Sequence, residues 1–163
     1  MVQAGTSDKL KAIANMFSQT MEYALRAMIA LTASDGSPTT TRRIAETMKV
    51  PASYLSKVLQ SLVRARLVRS TRGLRGGFVL ARAADSITML DVVNAVSPIV
   101  RITSCPLDLT SHSSELCPLH RRLDQALSQL EQAMSGTSLA ELISEENPCP
   151  ILKQQLMNLR TPE

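Results

Sequence analysis

Residues Pro51–Arg82 read PASYLSKVLQSLVRARLVRSTRGLRGGFVLAR, and this stretch combines two structural patterns. Its first part has apolar residues at three- and four-residue spacing, which predicts one face of a helix: Leu55, Val58, Leu59 and Leu62. Its second part predicts two short strands, Leu67–Ser70 and Gly77–Leu80, joined by the glycine-rich turn Thr71–Gly76. A helix followed by such a hairpin is typical of a winged helix-turn-helix.

The same stretch is strongly basic. It contains no Asp or Glu, and its cations are Lys57, Arg64, Arg66, Arg69, Arg72, Arg75 and Arg82. A solvated face usually mixes charges of both signs, so a polyanionic partner, most simply double-stranded DNA, is indicated. Residues 1–82 carry 13 basic and 4 acidic residues, whereas residues 83–163 carry 5 basic and 10 acidic ones. This asymmetry predicts a DNA-reading half joined to a half with another role.

Size and composition set the class of protein. The 163 residues suffice for one domain with a core and one or two added helices. Aromatic residues make up only 2% of the chain, which predicts an aliphatic core. We find no run of about 18 apolar residues and no apolar signal-peptide region, and we therefore expect a cytoplasmic protein with no membrane association. Its three cysteines are then expected to be reduced, metal-bound or redox-active.

The remaining elements follow from apolar spacing and capping residues. We predict helices at Ser18–Ala33 and Arg42–Met48, a turn at Val50-Pro51, a short helix from the capping box at Thr88 to Val96, and a longer helix from Pro118 to Met134. Ser138–Glu141 caps one more short helix. The predicted organisation is a mobile extension (1–15), a winged helix-turn-helix domain (16–97), a cysteine loop (98–118), a dimerisation helix with a following short helix (119–145), and a tail (146–163).

The third helix and the wing carry the candidate DNA contacts. Residues that point away from the apolar face near the helix N-terminus are Ser53, Tyr54, Ser56, Lys57 and Gln60. In the wing, Gly73, Gly76 and Gly77 permit a tight turn, and Arg72 and Arg75 at its tip are candidates for minor-groove or phosphate contact. An ordinary surface helix is the alternative for the first set. A nucleotide-binding loop is the alternative for the glycines, but the strand and helix context it requires is missing.

The helix that begins at Pro118 has an apolar stripe, formed by Leu119, Leu123, Ala126, Leu127, Leu130 and Met134. The stripe suits packing on its own domain or a dimer interface. We favour the dimer because the first 97 residues already form a plausible domain.

The loop before this helix contains Cys105 and Cys117. Thiolates hold iron or zinc, and histidine replaces cysteine at some two-iron centres. Two unliganded thiols with a surface histidine explain this spacing as well. Cys149 is interpreted as a spare thiol or a redox partner.

Several segments together resemble the Rrf-two (Rrf2) family of winged-helix transcription regulators, which includes iron–sulfur and nitric-oxide sensors. The matching segments, in order, are Glu22-Tyr23-Ala24-Leu25-Arg26, Ser53-Tyr54-Leu55, Leu67-Val68, Arg72-Gly73-Leu74-Arg75-Gly76-Gly77-Phe78, Asp91-Val92-Val93 and Ser138-Leu139-Ala140-Glu141-Leu142. The resemblance covers about Met16 to Ile143. It implies a homodimer that binds a near-palindromic operator, dimerises through the long helix and senses through a cluster in the preceding loop.

The resemblance also implies a set of cluster ligands. Cys105 and Cys117 match the outer two of three family cysteines, and Ser111 stands where the middle one is expected. His120 matches a histidine ligand position, and Glu22 matches a position from which a partner subunit supplies a carboxylate. The implied [2Fe-2S]-type set is therefore Cys105, Cys117, His120 and Glu22, with His112 in reserve; an ion pair of Glu22 with Arg26 is the alternative for Glu22.

Other controls of the same DNA-binding regulator stay open at this point. They are a disulfide switch between Cys105 and Cys117, a zinc site, and a protein partner. No nucleophile, base and orienting group occur in a recognisable set, so an enzyme is not expected.

Overall fold

The structure consists of helices interrupted by a β-hairpin. It is a computed structural model, and it describes residues 17–73, 76–104 and 116–144 together with Met157. In chain order the elements are α1 (Gln19–Ala33), α2 (Thr41–Met48), α3 (Ala52–Arg64), β1 (Val68–Thr71), β2 (Gly77–Leu80), a 3-10 turn (Ala84–Ser86), α4 (Met89–Val96), α5 (Pro118–Ser135) and α6 (Leu139–Ser144). The predicted class, mainly helical with a small hairpin wing, is confirmed.

Helix α1 is the central helix of the described chain. The Ser18 side chain caps its N-terminus by accepting a hydrogen bond from the backbone N–H of Met21 at 3.2 Å. Helices α2, α3, α4 and α6 all pack on it. Its small and aliphatic residues therefore lie at the centre of the core, and Ala24, Ala27 and Met28 have no exposed surface.

Helices α2 and α3 form the helix-turn-helix. The Thr40 side chain caps α2 by accepting a hydrogen bond from Arg43 N–H at 3.2 Å. The chain leaves α2 through Lys49, whose φ of 54° is left-handed, and Pro51 precedes the first residue of α3. The turn predicted at Val50-Pro51 is therefore present, and Pro51 occupies the N-cap position of α3.

The wing is an antiparallel hairpin that is fastened to the chain before α2. Its register pairs Val68 with Leu80 and Thr71 with Gly77. Thr39 adds a further bridge, because its N–H donates to Phe78 O at 3.0 Å and its carbonyl accepts from Phe78 N–H at 2.9 Å. Strand β1 begins and ends one residue later than predicted, whereas β2 has the predicted bounds.

The C-terminal elements contribute unequally to the core. Thr88 and Asp91 form the predicted capping box at the start of α4. Leu139 of α6 is completely buried in the same apolar core as α1 and α3. In α5, by contrast, Met134 is the buried residue among its 18 described positions. Helix α5 therefore keeps most of its surface free of contacts within the described chain.

Candidate DNA-binding surface and sensing region

Helix α3 presents the predicted DNA-reading side chains on its outer face. Its inner face is buried through Leu55, Val58, Leu59 and Leu62. As a consequence of the helical period, the residues predicted to contact DNA are all exposed: Ser53, Tyr54, Ser56, Lys57 and Gln60.

Two of these five side chains already have partners in their own chain. The Tyr54 hydroxyl is hydrogen-bonded to the Thr20 hydroxyl, and the Tyr54 ring contacts Tyr23 edge to face, with centroids 5.5 Å apart. The Ser56 hydroxyl donates to Ala52 O at 3.0 Å. Tyr54 therefore also fixes α3 against α1, a role that its sequence position alone did not reveal.

The wing brings further cations to the same part of the molecule. Arg72 is exposed at the end of β1, and the following Gly73 has a φ of 109°, as expected for a tight glycine turn. Arg75 lies outside the described residues. Arg64, Arg66 and Arg69 are also exposed. These three residues were not among the predicted DNA contacts, although the absence of Asp and Glu from residues 51–82 was a signal that could have identified them.

A shallow groove separates α3 from the wing. Its volume is about 370 Å³, and it is lined by Gln60, Val63, Arg64, Ser70 and Phe78. The groove joins the outer face of α3, the predicted recognition helix, to the hairpin. Because exposed arginines border the groove and its described lining residues include no Asp or Glu, this surface suits a phosphate backbone.

In the sensing region, Cys117 and His120 come together. Cys117 is the residue before the first turn of α5, and Pro118 opens the helix. The Cys117 Sγ lies 3.2 Å from the His120 Nδ1, and both residues are half-buried. Cys105, Ser111 and His112 lie outside the described residues. Within the described ranges, no three or more Cys, His, Asp or Glu side chains form a metal-binding group.

Glu22 forms an i,i+4 ion pair with Arg26, which is the alternative to cluster ligation that the sequence left open for this residue. Both side chains are about one-third exposed, 32% and 35% respectively. Arg26 also donates a hydrogen bond to Met48 O at 3.1 Å, at the end of α2. Arg26 therefore connects Glu22 to the turn of the helix-turn-helix.

Glu22 also borders an apolar groove of about 190 Å³ between α1, α4 and the end of α5. The other lining residues are Phe17, Met21, Leu25, Met89, Val93 and Met134. The carboxylate thus lies beside an apolar surface. Its Oε2 makes no hydrogen bond with the described residues.

The segment just before the cysteine loop is held on α5. Arg101 donates from Nε and Nη2 to the two carboxylate oxygens of Asp124, both at 2.6 Å, and from Nη1 to Glu131 at 3.2 Å. The hydrogen bonds that Arg101 donates to Asp124 hold the pKa of the Asp124 carboxyl below its usual range. The stabilisation from this ion pair is therefore fully present above the unfolded-state pKa of Asp124. It is lost as the pH falls through the lower pKa that Asp124 has in the folded protein.

The apolar stripe of α5 is buried at its C-terminal end, at Met134, and exposed at its N-terminal end. Leu119 is 63% exposed and Leu123 is 47% exposed, and the two leucines lie one helical turn apart on the same side of α5. The described chain contains no helix long and apolar enough to cross a membrane.

An exposed recognition helix, a basic hairpin wing and an aliphatic core define a winged helix-turn-helix DNA-binding regulator. The sequence pattern of the Rrf2 family, described as "Iron-dependent Transcriptional regulator", matches residues 17–145. The chain therefore belongs to the Rrf2 family, whose members are DNA-binding transcription regulators and not enzymes.

Individual relatives agree with this assignment. An HTH-type transcriptional regulator of Aquifex aeolicus (strain VF5) is 30% identical over 134 residues, which cover 80% of this chain and 93% of that protein. The structure of CymR (YrzC), the global cysteine regulator of B. subtilis, is similar with a TM-score of 0.67 and 28% identity, covering 80% of this chain and 98% of that one. T. potens IscR has the same fold, with a TM-score of 0.66, 22% identity and coverage of 82% and 90%.

Proposed function

We propose that this regulator is a cytoplasmic homodimer whose binding to a near-palindromic operator is controlled by a [2Fe-2S]-type cluster in the Cys105–His120 region. The observation that carries the proposal is the pairing of Cys117 with His120, whose donor atoms lie 3.2 Å apart at the N-terminus of α5. The proposed ligands are Cys105, Cys117 and His120 of one subunit and Glu22 of the other.

The donor atoms suit the group. A thiolate and an imidazole are ligands of iron–sulfur centres and of zinc, and mixed histidine and cysteine ligation occurs at two-iron clusters. Cys117 at the N-cap of α5 and His120 in its first turn are only half-buried, so both can bind one group at the surface. The iron-dependent description of the family supports the same choice. A bound cluster would supply an oxidisable and nitric-oxide-reactive centre.

The chain's own residues offer a route from this site to DNA. Arg26 holds both the Glu22 carboxylate and the Met48 carbonyl at the end of α2. If Glu22 ligates a cluster of the partner subunit, its ion pair with Arg26 is weakened. Arg26 still contacts the Met48 carbonyl at the end of α2. Ligand occupancy would then shift the population of α2 and α3 arrangements, and with it the DNA affinity.

An anaerobic absorption spectrum of the purified protein, with iron and acid-labile sulfide analysis, tests the proposal. We expect a coloured protein with visible charge-transfer bands and operator binding that changes when the cluster is removed. Glu22→Ala should weaken or lose the cluster and its control of DNA binding while the dimer remains. A Glu46→Ala variant, which loses another exposed i,i+4 ion pair, serves as its control.

Different results separate the alternatives. A Glu22→Ala protein with the wild-type spectrum and normal regulation would make Glu22 structural and His112 the next ligand candidate. A colourless wild-type protein would reject the cluster.

The second candidate is a thiol switch or zinc site that uses Cys105 and Cys117, and the observation that favours it is Ser111 at the expected middle-cysteine position. Zinc analysis and mass mapping of a Cys105–Cys117 disulfide would identify these cases. Capture of a protein partner that persists in the presence of chelator and reductant would instead indicate control by that partner.

A further inference from the structure

Helix α5 is joined to the winged helix-turn-helix at its C-terminal end. Met134 is buried there and lines a groove together with residues of α1 and α4. Just beyond the helix, the Thr137 carbonyl accepts a hydrogen bond from Met89 N–H at 2.9 Å. This end of α5 is therefore fixed on the core, whereas Leu119 and Leu123 at the other end are exposed.

A second attachment lies in the middle of α5, and it is polar. Arg101 donates to both carboxylate oxygens of Asp124 at 2.6 Å and to Glu131 at 3.2 Å. The backbone N–H of Ile102 also donates to Asp124 Oδ1, at 3.0 Å. The two acidic side chains are only 18% and 27% exposed. We call this set, Arg101, Ile102, Asp124 and Glu131, the α5 brace.

The segment that carries Arg101 is held on α4 at its other end. Ser97 N–H donates to Val93 O at 2.8 Å, and Ile99 N–H donates to the Asn94 side chain at 3.3 Å. Pro98 lies between these two bonds, and its ring fixes its φ angle. Val93 has no exposed surface, so α4 is itself part of the core. The brace therefore connects the core to the middle of α5 through a short, constrained segment.

The two attachments are far enough apart to set the direction of α5. Asp124 precedes Met134 by ten residues, which is about 15 Å along the helix axis. A helix that is held at two points with this separation has a defined direction. Held only at its C-terminal end, the same helix would pivot about that end. Asp124 and Glu131 are seven residues apart on one face, so Arg101 contacts α5 at two levels.

The brace leaves the exposed leucines of α5 free for another contact. At 3.6 residues per turn, Leu123 lies about a quarter of a turn around the helix from Asp124. A second subunit on the leucines and Arg101 on the acidic face are therefore compatible. Partly exposed ion pairs add little to folding stability, but a two-point guanidinium–carboxylate contact has a defined orientation. The main consequence of the brace is thus the orientation of α5.

We propose that Arg101 determines the half-site spacing that the regulator recognises, because it sets the direction of α5 relative to the recognition helix α3. This inference rests on the proposed function, in which a homodimer, joined through α5, binds a near-palindromic operator. Arg101 is then a positioning residue that acts through α5. Each base pair added between half-sites moves one of them by about 3.4 Å and rotates it by about 35°, so two rigidly held recognition helices accept one spacing.

Selection from a library of random-sequence DNA duplexes tests the proposal, with the full-length wild type and Arg101→Ala treated in parallel. We expect the wild type to select two half-sites at one spacing. Arg101→Ala should select the same half-site sequence, because α3 and the wing are unchanged, but over a broader range of spacings. In direct titrations, its preference for the wild-type spacing over one that is two base pairs longer should fall severalfold.

Arg121→Ala is the matched control, because it removes the same charge from an exposed position of α5 outside the brace. It should keep the wild-type spacing. Arg101→Lys, which retains the charge without the two-point contact, should broaden the spacing as Arg101→Ala does. Hydrogen exchange at Ile102 N–H should become faster in both Arg101 variants, since Asp124 no longer holds the segment.

A dimeric Arg101→Ala protein that keeps one spacing would overturn the proposal, because the brace would then only support the fold. If Arg101→Ala is unfolded or monomeric, Arg101→Lys and Glu131→Gln decide by the same comparison, and the wild-type spacing in both overturns it. A wild type that selects single half-sites would instead reject the dimeric operator complex, and with it any spacing role for Arg101. The wild-type selection therefore distinguishes failure of the dimer from failure of the brace.

Discussion

At the scale of single residues, Gly77 allows the wing to approach the chain before α2. A Cβ atom at this position would lie 2.8 Å from the carbonyl carbon and oxygen of Thr39. Those atoms belong to the backbone bridge between Thr39 and Phe78, so they cannot move aside without loss of its hydrogen bonds. The small size of Gly77, and not a positive φ, is what this contact requires.

We therefore expect Gly77→Ala to destabilise the protein by about 1–3 kcal/mol, the usual cost of overpacking. Urea denaturation measures the change, and operator binding should weaken because the wing shifts. Gly136→Ala is the matched control, since its Cβ would meet Gln132 O at an ordinary 3.5 Å. Equal stability of the two variants would show that the wing tolerates a displaced Thr39 bridge.

Residue-scale geometry was only partly predictable from the sequence. The turn at Gly73 follows from glycine's freedom at positive φ, and the Thr88–Asp91 capping box follows from side-chain chemistry. Lys49 and Arg66 also have positive φ, at 54° and 59°, and nothing in their residue types indicates it. Lys49 lies in the connection between α2 and α3 and Arg66 in that between α3 and β1, so the path of the chain between elements sets these conformations and the residue types do not.

At the scale of elements, α3 and the wing together form the proposed DNA-binding surface. The helix supplies exposed polar groups, and the hairpin supplies Arg69 and Arg72 across the groove lined by Gln60 and Phe78. Mutation of such arginines has different effects for base-edge contacts and for phosphate contacts, because only base-edge contacts depend on the DNA sequence.

We expect Arg72→Ala and Arg75→Ala each to weaken operator binding by about 1–3 kcal/mol if the side chain contacts a base edge. A phosphate contact would weaken binding uniformly across DNA sequences and reduce the salt slope by about one unit. Fluorescence anisotropy at several salt concentrations distinguishes the two. Arg122→Ala on α5 removes the same charge and should bind normally. Wild-type affinity of both wing variants would show the wing assignment to be wrong.

The elements themselves were largely predictable, since apolar periodicity and capping residues placed α1, α2, α4 and α5 within one residue of their observed bounds and indicated α3 and α6 without fixing their ends. The packing of α6 on the N-terminal helices could not be predicted from the sequence. Leu139 is buried with the helices of the N-terminal half, although 42 residues separate it from the predicted domain boundary at residue 97. Spacing reveals a helix and its apolar face but not the distant element that the face packs on.

At the scale of the whole molecule, the described chain has a complete core and an incompletely covered α5. The core uses α1, α2, α3, α4 and α6, while α5 offers Leu119 and Leu123 to solvent. The sequence predicted the stripe, and the described part of the chain covers it at Met134 but leaves Leu119 and Leu123 exposed. The proposed occupant is α5 of a second subunit, which would place two reading helices about one DNA turn apart, roughly 10–10.5 bp between half-sites.

Leu123→Asp tests this arrangement. In the single chain Leu123 is 47% exposed, so a charge there costs the monomer little and its circular dichroism should match the wild type. In the proposed dimer the same carboxylate would be buried without a partner, at a cost of several kcal/mol, and the dimer should dissociate. Sedimentation at micromolar concentration is expected to give a dimeric wild type and a monomeric variant.

Gln125→Asp is the matched control for Leu123→Asp, because it adds the same charge to the exposed, opposite side of α5 and should leave the dimer intact. Loss of the dimer should also weaken operator binding, since a monomer contacts one half-site and loses the benefit of linked binding. A monomeric wild type, or a Leu123→Asp protein that sediments as a dimer, would place the interface elsewhere. The exposed leucines of α5 would then require a different partner.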